Sequence, residues 1–106
     1  MNTDAVEAQI TYPDEASAHA AAAMLVEARL AACGQVSRIT SVYTWEGKVE
    51  DETEWLLTAK TLFAALPKLA GKIRESHPYD VPQITALPIA WGAPDYLSWI
   101  GEMVDT

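Results

Sequence analysis

The chain holds one cysteine, Cys33, and two histidines, His19 and His77. A single thiol excludes an intrachain disulfide framework and fits a reducing compartment, so the cytoplasm is the expected location. Two histidines and one cysteine are too few for Ser-His-Asp or Cys-His catalysis, and no Cys-x-x-Cys spacing marks a dedicated metal centre. No glycine-rich loop is present to cradle phosphate, which removes P-loop and Rossmann chemistry. No apolar run approaches the roughly 20 residues that span a bilayer, so a membrane is not expected as a partner. Asn2, Thr3 and Asp4 open the chain without a basic segment and an apolar one behind it, so no secretory leader is expected. Basic residues are scarce too, 7 against 15 acidic ones, for a formal charge of −8. That field repels phosphate backbones and argues against nucleic acid as a partner. A non-enzymatic domain is what remains.

Half of the 106 residues are hydrophobic, enough for one domain with a real core over residues 1–106. No linker, repeat or low-complexity segment divides it. Ala5 to Tyr12 reads as a strand with Val6, Ala8 and Ile10 on one face. Pro13-Asp14-Glu15 starts a helix, whose stripe of Ala21, Leu25, Ala28 and Ala32 predicts that it runs on to a stop at Gly34. A second helix begins near Leu66, with Pro67 in its first turn, and must end before Pro78. Val81 to Trp91 forms a further strand, placed at an edge or interrupted by Pro82 and Pro88. A last helix starts at Gly92-Ala93-Pro94-Asp95 and carries Tyr96, Trp99, Ile100 and Met103 on one face, with both aromatics expected in the core.

Between the first two helices lies the most informative segment, a β-hairpin from about Val36 to Thr61 that turns at Gly47. Tyr43 and Trp45 share one face, and Val42, Thr44 and Glu46 take the other. A strand of about 12 residues reaches roughly 40 Å, whereas a compact chain of this length is only about 33 Å across. The tip should overhang the body with bare edges, which invite pairing with another chain. The complete order predicts an α+β, ferredoxin-like βαββαβ split fold with a long central β-hairpin and an extra C-terminal helix. Helices cover one sheet face; the other, with Trp55, Trp91 and alternating leucines left over, calls for oligomerisation. An acylphosphatase-like activity on this fold would need an arginine-bearing cradle in the first strand-to-helix loop, which here is the acidic Tyr12-Pro13-Asp14-Glu15.

Four segments in order carry a likeness to a known family: Leu25-Val26-Glu27-Ala28-Arg29-Leu30-Ala31-Ala32-Cys33, the hairpin from Ser41 through Gly47-Lys48, His77-Pro78-Tyr79-Asp80-Val81-Pro82, and Pro94-Asp95-Tyr96-Leu97-Ser98-Trp99-Ile100. Together they resemble the CutA family of divalent-ion tolerance proteins. The resemblance implies a tight homotrimer whose long hairpins pair between subunits, and a link to Cu²⁺ and other divalent cations. Two departures stand out. The copper site proposed for an enterobacterial relative uses a first-strand cysteine and adjacent histidines, where this chain has Ile10 and Ser76-His77. The corner Gly34-Gln35-Val36-Ser37-Arg38-Ile39 is also one residue shorter than the usual connection.

His77 is the candidate metal ligand, because neutral imidazole suits copper and zinc. It can equally cap the second helix and bond within the His77-Pro78-Tyr79 turn. Cys33 is a soft ligand by chemistry and a packed thiol by its apolar neighbours. Tyr43, Trp45 and Tyr79, with Glu54, Lys60 and Cys33, are candidates for a cleft between subunits, where aromatic walls and one cation would hold a small anionic or planar ligand. Simple interface packing explains the same aromatics. Glu46, Glu50, Asp51, Glu52 and Glu54 near the turn can gather hard cations or merely protect a strand end. Three functions follow: divalent-cation tolerance with weak copper binding, small-molecule sensing of the PII type, and a scaffold for another protein.

Overall fold

Strict alternation builds the first strand, and a computed structural model describing residues 4–106 places it inside the sheet. Asn2 and Thr3, where a leader was sought, lie outside the described residues. Strand β1 (Ala5–Tyr12) is followed by helix α1 (Glu15–Glu27), strands β2 (Cys33–Trp45) and β3 (Lys48–Leu62), helix α2 (Leu66–Ser76), strand β4 (Ile84–Pro88) and helix α3 (Pro94–Met103). The strands form one antiparallel sheet in the order β2-β3-β1-β4. This is the expected ferredoxin-like βαββαβ arrangement with its long hairpin and additional helix.

Helices α1 and α2 bury one sheet face. Ala8, Ile10 and Tyr12 of β1 and Leu57 and Ala59 of β3 meet Ala18, Ala21 and Leu25 of α1 and Leu69 and Ile73 of α2. Trp55 joins this side, half-buried, rather than the open face. A second cluster around Ala5, Ala32, Ala65, Ile100 and Val104 seats α3 at one end. Tyr96 and Trp99 are not core residues: they stand 41% and 37% exposed, and Ile100 alone is the fully buried anchor of their helix. A ten-residue helix seated at one end of the sheet buries only a narrow stripe.

Helix α1 starts on Asp14, whose Oδ1 accepts the Ser17 backbone N–H at 2.7 Å. It ends at Glu27, well before the expected stop. Arg29 adopts φ +59°, the Leu30 amide donates to Leu25 and the Arg29 amide to Val26. That is a Schellman termination made without glycine. The strain at Arg29 is held by the C-terminal tail: its guanidinium bonds Asp105 at 3.0 Å and the Glu102 carbonyl at 2.7 Å. Gly34 instead lies in β2, which begins at Cys33. A Cβ there would stand 2.8 Å from the Ala22 Cβ and 3.3 Å from the Ala22 Cα. Glycine lets α1 lie directly on the sheet.

The proline signals hold. Pro67 occupies the first turn of α2, and His77 leaves helical geometry (φ −70°, ψ 134°) before Pro78. Strand β4 is shorter than expected, five residues at the sheet edge. Glu46 and Gly47, with φ +51° and +80°, close the hairpin as a two-residue turn between Trp45 and Lys48. Pairing with β1 stops at Trp55, opposite Tyr12, so Ile39–Trp45 and Lys48–Glu54 pair only with each other. Those seven residues per strand project roughly 23 Å at about 3.3 Å each. The molecule is correspondingly elongated, 44 × 25 × 21 Å.

Substituting Gly34→Ala should lower stability by about 1–3 kcal/mol through overpacking against Ala22. Gly71→Ala, whose new Cβ meets nothing within 4 Å inside α2, should raise it by about 0.5–1 kcal/mol. Denaturant midpoints of the two variants should therefore move in opposite directions; a common direction would contradict this packing.

Candidate functional site

Cross-strand register sorts the side chains of the ribbon. Ser41, Tyr43 and Trp45 of β2 share a face with Glu52 and Glu54 of β3 and with Thr11 of β1, the face away from α1 and α2. The loop after α2 passes the end of β1 and brings Tyr79 round to that face. There the Tyr79 hydroxyl donates to Glu54 Oε2 at 2.9 Å. Together these groups, with Asp80, Val81 and Gln83, line a cavity of about 690 Å³. Pockets of this size hold small molecules.

Four of the six residues expected in a cleft are thus brought together: Tyr43, Trp45, Glu54 and Tyr79. Cys33 and Lys60 are not with them in this chain. They oppose each other at the far end of the hairpin, and six residues of extended strand put Lys60 roughly 20 Å from Glu54. Lys60 is occupied there, donating to Gln35 Oε1 at 2.6 Å and pairing with Glu7 at 3.5 Å. The Cys33 thiol is half-buried, 3.8 Å from the Tyr96 hydroxyl. Sequence reasoning missed Thr11, Asp80 and Gln83, and placed Glu52 in a carboxylate cluster that gathers hard cations or protects a strand end. Ser41 was legible, since it keeps parity with Tyr43 and Trp45.

His77 sits behind the cleft wall. Its Nδ1 accepts the Tyr79 backbone N–H at 3.0 Å, which leaves Nε2 to donate to the Thr11 carbonyl at 2.8 Å. Its ring also stacks on Tyr12 at 4.4 Å. Both nitrogens are therefore engaged in holding the turn. Ile10, at the position of the relative's cysteine ligand, is fully buried in the core. Among the described residues, no three His, Cys, Asp or Glu side chains are placed to hold a metal ion. A ready-made copper site within one chain does not fit these residues. Among the described residues, no helix is long and apolar enough to cross a membrane.

Comparison with known proteins gives the family. The model of the CutA1 divalent ion tolerance protein matches residues 6–103. This chain belongs to the CutA family. It is 49% identical over 94 residues to the divalent-cation tolerance protein CutA of Thermus thermophilus, covering 88% of this chain and 91% of that protein. The solved Thermus structure superposes with a TM-score of 0.92 over 95% of this chain and 99% of that one, at 44% identity. CutA1 from Oryza sativa gives 0.93 at 34% identity, covering 98% and 96% of the two chains. Animal CutA proteins are longer: the chain spans 65% of the Xenopus laevis homolog and 55% of the Mus musculus protein.

All four tyrosines are held above their ordinary value of 10.0. Burial pushes Tyr12 up to about 12. Tyr79 is raised by burial and then by Glu54. Burial, then Glu52, Glu54 and Glu50, raises Tyr43; burial and the Cys33 contact raise Tyr96. Between these values and the ordinary one, the unfolded chain releases phenolic protons that the folded chain retains. Stability is therefore intact below pH 10 and declines as pH climbs toward 12. Tyrosinate absorbance should rise near pH 10 in denaturant but well above it in the native protein; overlapping curves would refute the assignment. The Tyr12 hydroxyl is also buried, with no hydrogen-bond partner among the described residues. Tyr12→Phe should stabilise the fold by about 1 kcal/mol, read as a higher unfolding midpoint.

Proposed function

We propose that the protein works as a homotrimer in divalent-cation tolerance, in a reducing compartment such as the cytoplasm, with its ribbons completed by sister chains. The overhanging ribbon carries this reading. Among the described residues no third strand pairs with its edges, and it is apolar on both faces: Val42 and Val49 on one, 65% and 75% exposed, and Tyr43 and Trp45 on the other. Trp91, 80% exposed, adds apolar surface on the body. Exposed apolar groups at an unpaired edge are the features that chain association removes. Three chains of −8 each carry −24, a repulsion that salt screens while buried ribbon pairing is not screened.

The role in tolerance comes from the family. Copper contact at His77 is weak in this account, because the imidazole must give up one of two hydrogen bonds before it can bind metal. The aromatic cavity favours a second reading, a small-molecule sensing trimer of the PII type. Sedimentation at low micromolar concentration should show one species near three times the 11.5 kDa chain mass; a monomer would overturn the assembly. Calorimetric titration should show weak, saturable Cu²⁺ binding that vanishes in His77→Ala. Unchanged binding in that variant would remove His77 from the site.

A further inference from the structure

The imidazole that the family resemblance offers to a metal has no lone pair to spare. A backbone N–H can only donate and a backbone carbonyl can only accept. With the Tyr79 amide on Nδ1 at 3.0 Å and the Thr11 carbonyl on Nε2 at 2.8 Å, the His77 ring is fixed as the neutral tautomer protonated on Nε2. Its one in-plane lone pair, on Nδ1, is the pair that accepts the Tyr79 amide.

These bonds hold a segment with few others. Strand β4 pairs with β1 only as far as Ile10, and His77 takes the next carbonyl, that of Thr11. The His77 amide closes α2 on the Ile73 carbonyl at 2.9 Å, and its ring lies 4.4 Å from Tyr12 and 5.0 Å from Tyr79. Pro78 and Pro82 have no N–H to give. Among the described residues, residues 78–82 make two hydrogen bonds, both through Tyr79: its amide to His77 and its hydroxyl to Glu54 at 2.9 Å. His77 therefore holds one of the two ties that fasten this loop to the body. Both ties lie within a single chain, whatever surface a sister chain covers.

We propose that His77 is the positioning residue of this loop, and that the closed loop and metal ligation at His77 exclude each other. To ligate through Nδ1, His77 must release the Tyr79 amide; to ligate through Nε2, it must shift its proton and give up Thr11. In the first case Tyr79 keeps only its hydroxyl bond to Glu54, and in the second the ring loses its hold on β1. Either release frees one wall of the cleft. Coupling of this kind is reciprocal, so whatever closes the loop weakens ligation by the same factor. The exclusion rests on the reading of weak copper contact at His77, whereas the positioning role rests on the hydrogen bonds alone.

The test follows the full chain by nuclear magnetic resonance, first with a chelator and then with Zn²⁺, a diamagnetic ion that binds imidazole. In chelator, the His77 nitrogen shifts should show a proton on Nε2 and a bare Nδ1; a proton on Nδ1 overturns the proposal. His77→Ala should speed exchange of the Tyr79 amide by about tenfold. His77→Asn, whose side-chain oxygen can accept the amide two residues on, should bring it back to within about threefold of the wild type. A Tyr79 amide that exchanges no faster in folded His77→Ala than in the wild type overturns the positioning role; should that variant not fold, the tautomer in the wild-type chain decides. Zn²⁺ that moves the His77 nitrogens should also speed the Tyr79 amide by about tenfold. Zn²⁺ on His77 with the Tyr79 amide still protected overturns the exclusion and leaves the copper reading standing. His77 nitrogens unmoved by saturating Zn²⁺ and by Cu²⁺ overturn the copper reading and support a ring committed to the loop.

Discussion

The fold depends on an antiparallel ribbon that outruns the sheet in which it is rooted. Near its base, β3 is paired on both sides, by β2 and β1, and its inward residues Leu57 and Ala59 are fully buried. Past Tyr12 the third strand ends and the ribbon continues alone. Two-stranded ribbons are marginal in water, because neither face is covered and half of the edge groups go unpaired. A sequence that keeps Val, Tyr and Trp on such an arm is suited to an environment the single chain does not provide.

The same feature builds the cleft. Where β1 stops, the outer face of the ribbon is left open, and the loop from His77 to Gln83 fills only one side of it. His77 fixes that loop by bonding the Thr11 carbonyl and the Tyr79 amide, and Tyr79 in turn holds Glu54. Histidine thus acts on the cavity by positioning its wall. This explains how the His-Pro-Tyr motif can be built into the structure of a chain in which Ile10 and Ser76 replace two ligands proposed for a relative.

Much of this was legible in sequence, and the failures share a physical cause. Period-two alternation put Tyr43 and Trp45 on one face, as the register shows. It says nothing of position along the strand, so the roughly 20 Å between Lys60 and Glu54 within one chain appears only in the folded structure. Prolines fixed both ends of α2, since Pro67 suits a first turn and Pro78 forbids helix before it. The end of α1 was hidden because Arg29 takes the left-handed conformation usually given to glycine, and Arg29 is held there by a tail 76 residues away. Gly34 was a decoy whose real role, close approach to Ala22, appears only once α1 lies across β2. The Tyr79–Glu54 bond joins a loop to a strand 25 residues apart, beyond the reach of local pattern.

Amide hydrogen exchange along the ribbon addresses the central claim most directly. If sister chains complete the arm, the outward amides of Thr40–Val42 and the amides of Val49–Glu52 should be protected to the same degree as those of Ala8–Ile10 in the central strand. Exchange of the ribbon amides within seconds, while Ala8–Ile10 stay protected, would show an arm left bare in solution and contradict the account.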